Sequence, residues 1–99
     1  SGLAAALAGR LEYVYGFFFS YLRWHDVPDF PPVEAQWRSK EGDLWIADVV
    51  ADPKLSGVHV GKALRRALVD RGIARDGEKV YFFRQHTGRY GSFIARGSG

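Results

Sequence analysis

The sequence predicts an α/β (α+β) domain with a small mixed sheet, an N-terminal helix and one crossover helix. Residues 44–51 and 79–84 are short runs of β-branched and aromatic side chains, and residues 58–71 between them repeat apolar side chains at helical spacing. A strand, a helix and a second strand in this order normally give two parallel strands. With 99 residues in all, the chain is expected to fold as a single domain over 1–99.

The first third of the chain is predicted to form a helix followed by an aromatic segment. Residues 3–15 repeat Leu, Ala and Val every three or four positions, which predicts one amphipathic helix. The aromatic run over 13–22 allows two interpretations, because it either extends this helix past Gly16 or forms a buried strand through Phe17–Phe19. Prolines within residues 24–32 then predict an irregular loop.

The rest of the chain is predicted to contain a hairpin, the crossover helix and two more strands. Alternation over 33–39 and the β-rich run over 44–51 predict the hairpin strands, and residues 40–43 predict the turn between them. Gly72 is expected to end the crossover helix, and strands are expected over 79–84 and 90–95. The domain accordingly divides into an N-terminal helix and aromatic segment with a proline-rich loop (1–32), a hairpin-helix-strand core (33–84) and a basic, glycine-rich tail (85–99).

The composition excludes several classes of protein. Apolar residues make up 46% and charged residues 25% of the chain, which is typical of a globular protein and not of a disordered one. The absence of cysteine excludes disulfide frameworks and cysteine nucleophiles, and the three histidines lack ligand-like spacing, so no metal site is predicted. The longest apolar stretch is about ten residues, whereas a spanning helix needs about twenty. We therefore expect a cytoplasmic protein without a membrane partner.

The strongest motif lies at the junction between the strand over 44–51 and the crossover helix. Asp48-Val49-Val50-Ala51-Asp52-Pro53 is followed by a short loop and then by Gly57-Val58-His59-Val60-Gly61-Lys62-Ala63. This segment resembles the acyl-CoA-binding segment of the GNAT superfamily of N-acyltransferases, in which a Val-x-Pro-like turn precedes a Gln/Arg-x-x-Gly-x-Gly/Ala loop and a helix. Val58 stands where that family has Gln or Arg. The resemblance implies an acyl-CoA site formed by Val50, Gly57, Val58, His59, Val60, Gly61, Lys62 and Ala63.

The same junction has a physical reason to bind an anion. Glycine allows close approach of backbone N–H groups to a pyrophosphate, the first turn of a helix has unpaired N–H donors, and Lys62 adds a positive charge. The alternative is an ordinary strand-to-helix turn that uses glycine only for its geometry.

A second resemblance overlaps the first. Trp37-Arg38-Ser39 and the run 42–51 are similar to the core of the RTX toxin-activating lysine acyltransferases, which share the GNAT fold and take the acyl group from acyl-carrier protein. Asp48 falls on the aspartate that this family uses with a histidine, and His25 is the one histidine upstream of it. The two resemblances together cover residues 37–84 and imply catalytic roles for Asp48 and His25. The alternatives are an aspartate on a solvated strand face and a surface histidine in a loop.

The function expected from these motifs is transfer of an acyl group from acyl-CoA, or from the phosphopantetheine of acyl-carrier protein, to an amine such as a protein lysine. A structural or assembly protein that retains the fold without the chemistry, such as a virion component, is the alternative. A weaker alternative is a nucleic-acid-binding module, because the tail interleaves cations with aromatic side chains. A truncated sheet with an open edge also predicts a homo-oligomer or a larger assembly. The tail residues concerned are Arg84, Arg89, Tyr90, Phe93 and Arg96.

Overall fold

A computed structural model describes residues 2–84 and 88–98, so residues 85–87, where the predicted tail begins, lie outside the described part. That part contains five strands and three helices, which confirms the α+β class. None of these helices has both the length and the apolar character needed to cross a membrane. The elements are α1 (Gly2–Leu7), β1 (Leu11–Val14), β2 (Phe17–Trp24), α2 (Glu34–Arg38), β3 (Asp43–Ala51), α3 (Gly57–Asp70), β4 (Lys79–Phe83) and β5 (Tyr90–Ile94).

The five strands lie in the sheet in the same order as in the chain. Neighbouring strands are antiparallel with one exception, the pair β3 and β4, which is parallel and is joined by α3. A parallel pair cannot be closed by a tight turn, so the helix between the two strands serves as the crossover. The predicted parallel strand-helix-strand unit is thereby confirmed.

The prediction of one helix over residues 3–15 is wrong beyond Leu7. Gly9 has φ of 73°, a conformation that ends the helix, and residues 11–14 form β1. Tyr15 and Gly16 have φ of 47° and 93°, as the two central residues of a type I′ turn require, and this turn connects β1 to β2. The aromatic run is therefore a strand. Its Phe17 and Phe19 are buried while Phe18 is exposed.

The prediction of a hairpin over residues 33–51 is also wrong in its first half. Residues 34–38 form α2, and residues 39–42 connect this helix to β3, whose antiparallel neighbour is β2. The helix is stabilised by Gln36, whose Oε1 accepts hydrogen bonds from the backbone N–H of Val33 (3.0 Å) and of Asp29 (3.2 Å). Alternation over such a short window does not distinguish a strand from a helical turn that buries Trp37.

Two hydrophobic clusters lie on opposite faces of the sheet. The first packs α3 against the sheet through residues that include Phe17, Phe19, Leu44, Leu68 and Val80. The second lies on the face covered by α1 and α2 and is built from Ala5, Leu22, Trp37 and Trp45. The sheet is thus a middle layer between α3 on one side and the two short helices on the other.

An ion pair connects the end of β2 to the loop that precedes β4. The Nη1 and Nη2 atoms of Arg23 donate to the two carboxylate oxygens of Glu78 at 2.8 and 3.1 Å. Arg23 also donates to the carbonyl oxygens of Ile73 (2.9 Å) and Gly42 (3.1 Å). The hydrogen bond from Arg23 lowers the pKa of Glu78, and the same bond raises the pKa of Arg23. This pair closes the end of the sheet that is far from the carboxyl end of β3.

Candidate functional site

A β-bulge interrupts β3 near its carboxyl end. Tyr21 of β2 is opposite Ile46, but the preceding residue, Ser20, is opposite Asp48, so Ala47 is an extra residue on the β3 side. Simple alternation predicts that Ile46 and Val49 face opposite sides of the sheet. Because of the bulge, both line the space on the α3 side. Unbroken alternation also predicts that Asp48 faces away from Ala47, but both residues line the same two cavities at the bulge.

A large cleft opens where β3 and β4 separate. Their pairing ends at Ile46 and Phe82, whereas β3 continues to Ala51 beside β2 alone. The resulting space has a volume of about 1150 Å³. Its walls are mainly apolar and come from β3 (Ile46, Ala47, Asp48, Val49), α3 (Gly57, Val60, Gly61, Leu64, Arg65), β4 with the following residue (Phe82, Phe83, Arg84), the β5 region (Gly88, Ser92, Phe93) and the proline-rich loop (Phe30).

One face of the amino-terminal half of α3 forms a wall of this cleft. The helix begins after Ser56, whose Oγ accepts a hydrogen bond from the backbone N–H of His59 at 3.1 Å. The residues on the cleft side are spaced by three and four positions, as one face of a helix requires. Of the residues predicted to bind acyl-CoA, Gly57, Val60 and Gly61 lie on this face.

The other predicted acyl-CoA residues lie elsewhere. Val58, His59 and Lys62 are exposed and are not part of the cleft wall, while Ala63 packs against the cluster beneath α3. Val50 lines a smaller cavity on the opposite face of the sheet. The structure therefore brings the two glycines to the cleft and leaves Lys62 outside it.

Gly57 and Gly61 are not explained by backbone conformation or packing. Neither has a positive φ, and a Cβ atom added at either position would meet no atom within 4 Å. A helix with glycine at an interior position is less stable than the same helix with alanine there by about 1 kcal/mol. The two glycines thus lower the stability of the helix and leave open space and accessible backbone beside the cleft.

Replacing Gly61 with alanine is expected to raise the free energy of unfolding by about 0.5–1 kcal/mol, because alanine restricts the unfolded chain and suits a helix. The melting temperature should rise by about 2–8 °C, measured by circular dichroism. Gly72→Ala is the matched control and should be destabilising, since Gly72 has φ of 73°. A fall in melting temperature for Gly61→Ala would show that the fold itself requires this glycine.

Three ionisable side chains line the cleft within residues 2–84 and 88–98. Arg65 projects from α3 and its Cζ lies 5.5 Å from the centre of the Phe93 ring; the Cζ of Arg84, after β4, lies 5.6 Å from the centre of the Phe82 ring. No carboxylate among the described residues forms an ion pair with either arginine. The third group is Asp48, whose Oδ1 accepts a hydrogen bond from the backbone N–H of Val49 at 2.9 Å.

Sequence reasoning missed Arg65 as a cleft residue. Gly57, Gly61 and Arg65 recur at intervals of four, so they lie on one side of a helix. Extending the predicted glycine face by one turn would have selected Arg65 as the nearby cation in place of Lys62.

A smaller cavity, of about 200 Å³, lies on the other face of the sheet. Phe30, Ala47 and Asp48 line both cavities, so the bulge marks the place where the two spaces meet. Polar side chains in the wall of the smaller cavity include Asp48 and Ser20. Trp37 also lines this cavity, and its indole Nε1 is buried without a hydrogen-bond partner among the described residues.

His25 does not lie near Asp48. It follows the end of β2, where its ring lies 4.5 Å from that of Trp24 between centres at a tilt of 43°, and Trp24 is opposite Asp43. Asp48 is opposite Ser20, four residues earlier in β2. At roughly 3.3 Å per residue, the two sites are on the order of 15 Å apart along the sheet. The structure therefore does not bring together the predicted catalytic pair.

The residues of the predicted nucleic-acid surface are divided between the two sides of the sheet. Arg84 and Phe93 line the cleft on the α3 side. Tyr90 instead contacts the ring of Trp45, at 5.4 Å between centres, on the side of the α1 and α2 cluster. The carbonyl oxygen of Arg89 accepts a hydrogen bond from the backbone N–H of Arg84, and Arg96 is exposed beyond β5. These side chains do not form one continuous stacking surface.

Comparisons with known proteins give no relative from which a function can be transferred to this cleft. No protein-family model, curated protein or solved structure matches the chain. Its function is therefore inferred from the geometry and chemistry of the two cavities.

Proposed function

We propose that the protein is a GNAT-like N-acyltransferase that takes an acyl group from a thioester and transfers it to an amine. The observation that carries this proposal is the cleft between the diverging parallel strands β3 and β4, which passes beside the amino-terminal turns of α3 and ends at a β-bulge. Such a cleft at the carboxyl ends of parallel strands is a favoured position for ligands in α/β sheets.

The large cleft suits the extended, partly apolar molecule that an acyl thioester of pantetheine would present. Its walls include Val49, Val60, Leu64 and Phe82, which can cover an acyl chain, and the open faces of Gly57 and Gly61 leave room beside the helix. Bound there, the thioester would supply an activated acyl carbon: the amine nitrogen forms a bond to it, the carbon–sulfur bond breaks, and a proton from nitrogen ends on the thiol product. The chain contributes orientation and exclusion of water.

The smaller cavity is our proposed site for the amine. Asp48 lines both cavities and offers a carboxylate to an ammonium group at the junction. In this arrangement the two substrates approach the bulge from opposite faces of the sheet. Asp48 binds the ammonium form of the amine and accepts one proton from it, which frees the nitrogen lone pair for attack, and this proton then leaves to solvent. His25 takes no part, because it lies at the far end of the strands.

The geometry favours this proposal over the nucleic-acid alternative. The structural alternative predicts instead that a neighbouring chain closes or fills the cleft, which a measurement of the native assembly size tests. A nucleic-acid module is expected to display Arg84, Tyr90 and Phe93 together, whereas they lie on two sides of the sheet. Because acyl-CoA and acyl-carrier protein are cytoplasmic, the proposed acyl donor also implies a cytoplasmic reaction. Association into a homo-oligomer is a separate proposal that a sedimentation measurement decides.

The test is thermal unfolding with acetyl-CoA and with a long-chain acyl-CoA, followed by mass spectrometry of a lysine-containing peptide incubated with both substrates. An acyl donor at about 100 times its dissociation constant stabilises a protein by roughly 2.7 kcal/mol, which is several degrees for a domain of this size. Gly61→Trp should fill the cleft and abolish the shift. Val58→Trp is the matched control, since Val58 is on the same turn, is 71% exposed and is outside the cleft.

Formation of acylated peptide by the parent and by Val58→Trp, but not by Gly61→Trp, supports the proposal. Absence of both a thermal shift and a product with acyl-CoA requires the same assay with acyl-carrier protein. Failure with that acyl donor as well would reject the acyltransferase in favour of a structural role.

A further inference from the structure

The large cleft has more positive than negative side chains among the described residues, and its arginines form no ion pair there. Arg65 comes from α3 and Arg84 from the end of β4, so two separate elements direct guanidinium groups to one space. Neither arginine pairs with a carboxylate among the described residues, and neither donates a side-chain hydrogen bond there to another described residue. The one carboxylate that the described residues place in the cleft wall, Asp48, accepts a hydrogen bond from the backbone N–H of Val49.

Two aromatic rings support this pair of arginines. The rings of Phe82 and Phe93 lie 6.0 Å apart, and each carries one guanidinium group near its centre. A cation positioned over an aromatic face gains about 0.5–1 kcal/mol at an exposed site, which favours one orientation of a long side chain without neutralising it. The arginines are therefore oriented and remain available to an anion.

Gly91 makes the position of Arg84 possible. A Cβ atom at residue 91 would lie 3.0 Å from both Nε and Nη2 of Arg84 and 2.8 Å from Cζ of Phe82. The φ of Gly91 is not positive, so the backbone does not demand glycine there. The absence of a side chain in β5 instead lets Arg84 lie across the strand beside Phe82.

We infer that Arg65 and Arg84 bind the phosphate end of the ligand that occupies the cleft, one from each wall. This inference rests on the proposed function and names the group that recognises the acyl donor: a phosphate ester of a pantetheine-like chain. Guanidinium groups bind phosphate oxygens in a bidentate manner, and two of them, beside rings whose centres are 6.0 Å apart, match a pyrophosphate or a phosphodiester. The anion site thus lies at this arginine pair and not at Lys62, which is outside the cleft.

The test compares ligands that differ in phosphate alone, by isothermal titration calorimetry with the full chain. The probes are coenzyme A, 4′-phosphopantetheine, uncharged pantetheine and inorganic pyrophosphate. Arg65→Gln and Arg84→Gln should each weaken coenzyme A by about tenfold or more and leave pantetheine unchanged. Arg66→Gln is the matched control, because Arg66 is exposed on the same helix and is not in the cleft wall. Equal binding of coenzyme A by the parent and both cleft variants would overturn the inference.

Gly91→Ala gives an independent readout without removing a charge. It should displace Arg84 and weaken coenzyme A in the same direction as Arg84→Gln, and no further loss is expected when the two substitutions are combined. Additive losses would contradict the role assigned to Gly91 in placing Arg84.

The failure of this inference can be told apart from the failure of the proposed function. Pyrophosphate binding that requires both arginines, without any acyl transfer, supports the anion site and rejects the enzyme. Acyl transfer that survives in both arginine variants with unchanged KM for the acyl donor rejects the anion site and retains the enzyme. Arginine-dependent binding of a single-stranded oligonucleotide more tightly than coenzyme A would overturn the assignment to a small phosphate ester.

Discussion

Gly42→Ala is expected to destabilise the domain by about 3 kcal/mol or more, a large part of the stability of a small domain. Gly42 has φ of 108°, which L side chains rarely adopt. An added Cβ would also lie 2.7 Å from both the backbone N of His25 and the carbonyl O of Trp24, and closer still to the carbonyl C of Trp24. These are backbone atoms of the strand end, so they cannot rotate away as a flexible side chain would.

The measurement is urea unfolding of the parent, Gly42→Ala and Gly9→Ala. Gly9 is the matched control because its φ is also positive, at 73°, but a Cβ there would meet nothing within 4 Å. Gly9→Ala should therefore show only the conformational part of the effect, about 1–2 kcal/mol. Equal midpoints for the two variants would mean that the close approach of residue 42 to β2 does not matter.

Glu78→Gln is expected to lower the free energy of unfolding by about 2 kcal/mol at neutral pH, because it leaves the Arg23 guanidinium without its charged partner in a partly buried position. The side chains of Arg23 and Glu78 are 21% and 10% exposed, so solvent screens the pair less than a surface pair. Glu34→Gln is the control: its side chain is 81% exposed opposite Arg38, and the change should be within about 0.5 kcal/mol.

The same ion pair sets a pH dependence. Since the pKa of Glu78 is lowered from 4.5 in the folded state, chiefly by the hydrogen bond from Arg23, the unfolded state takes up the proton first as the pH falls. The contribution of the ionised Glu78 to the free energy of unfolding is complete above the pKa that this carboxyl has in the unfolded state. It is lost progressively below about pH 4.5. The free energies of unfolding of the parent and of Glu78→Gln should therefore converge as the pH is lowered from about 5. A constant difference across that range would contradict this origin.

The central part of the fold could be predicted because its signals are local and consistent. The residues of β3, α3 and β4 carry strong periodicity, and the crossover rule then gives the parallel pair. Several elements of the first forty residues were predicted wrongly. The turn at Tyr15 and Gly16 was missed because it has no strong turn residue at its first position. The helix at Glu34–Arg38 depends on Gln36, whose reach to two backbone N–H groups is a tertiary feature.

The site was predictable in position and less so in detail. The strand-to-helix junction led to Gly57 and Gly61, which do line the cleft. The bulge at Ala47 changes which side of the sheet the following side chains face, and no local residue pattern predicts it. Pairing His25 with Asp48 relied on the resemblance to the toxin-activating acyltransferases and on His25 being the one histidine upstream of Asp48. Their separation follows from the strand register, which forms only when β2 and β3 meet.

The position of the buried tryptophans gives each cavity its own optical signal. Trp37 lines the smaller cavity directly, while the ring of Trp45 stacks at 5.2 Å on Phe83, a wall of the large cleft. A molecule that shifts Phe83 therefore changes the surroundings of one indole, and a molecule in the smaller cavity changes those of the other. Because the chain has three tryptophans, intrinsic fluorescence of double Trp→Phe variants that keep Trp37 or Trp45 alone can report, without a label, which substrate enters first and whether filling one side of the sheet alters the other.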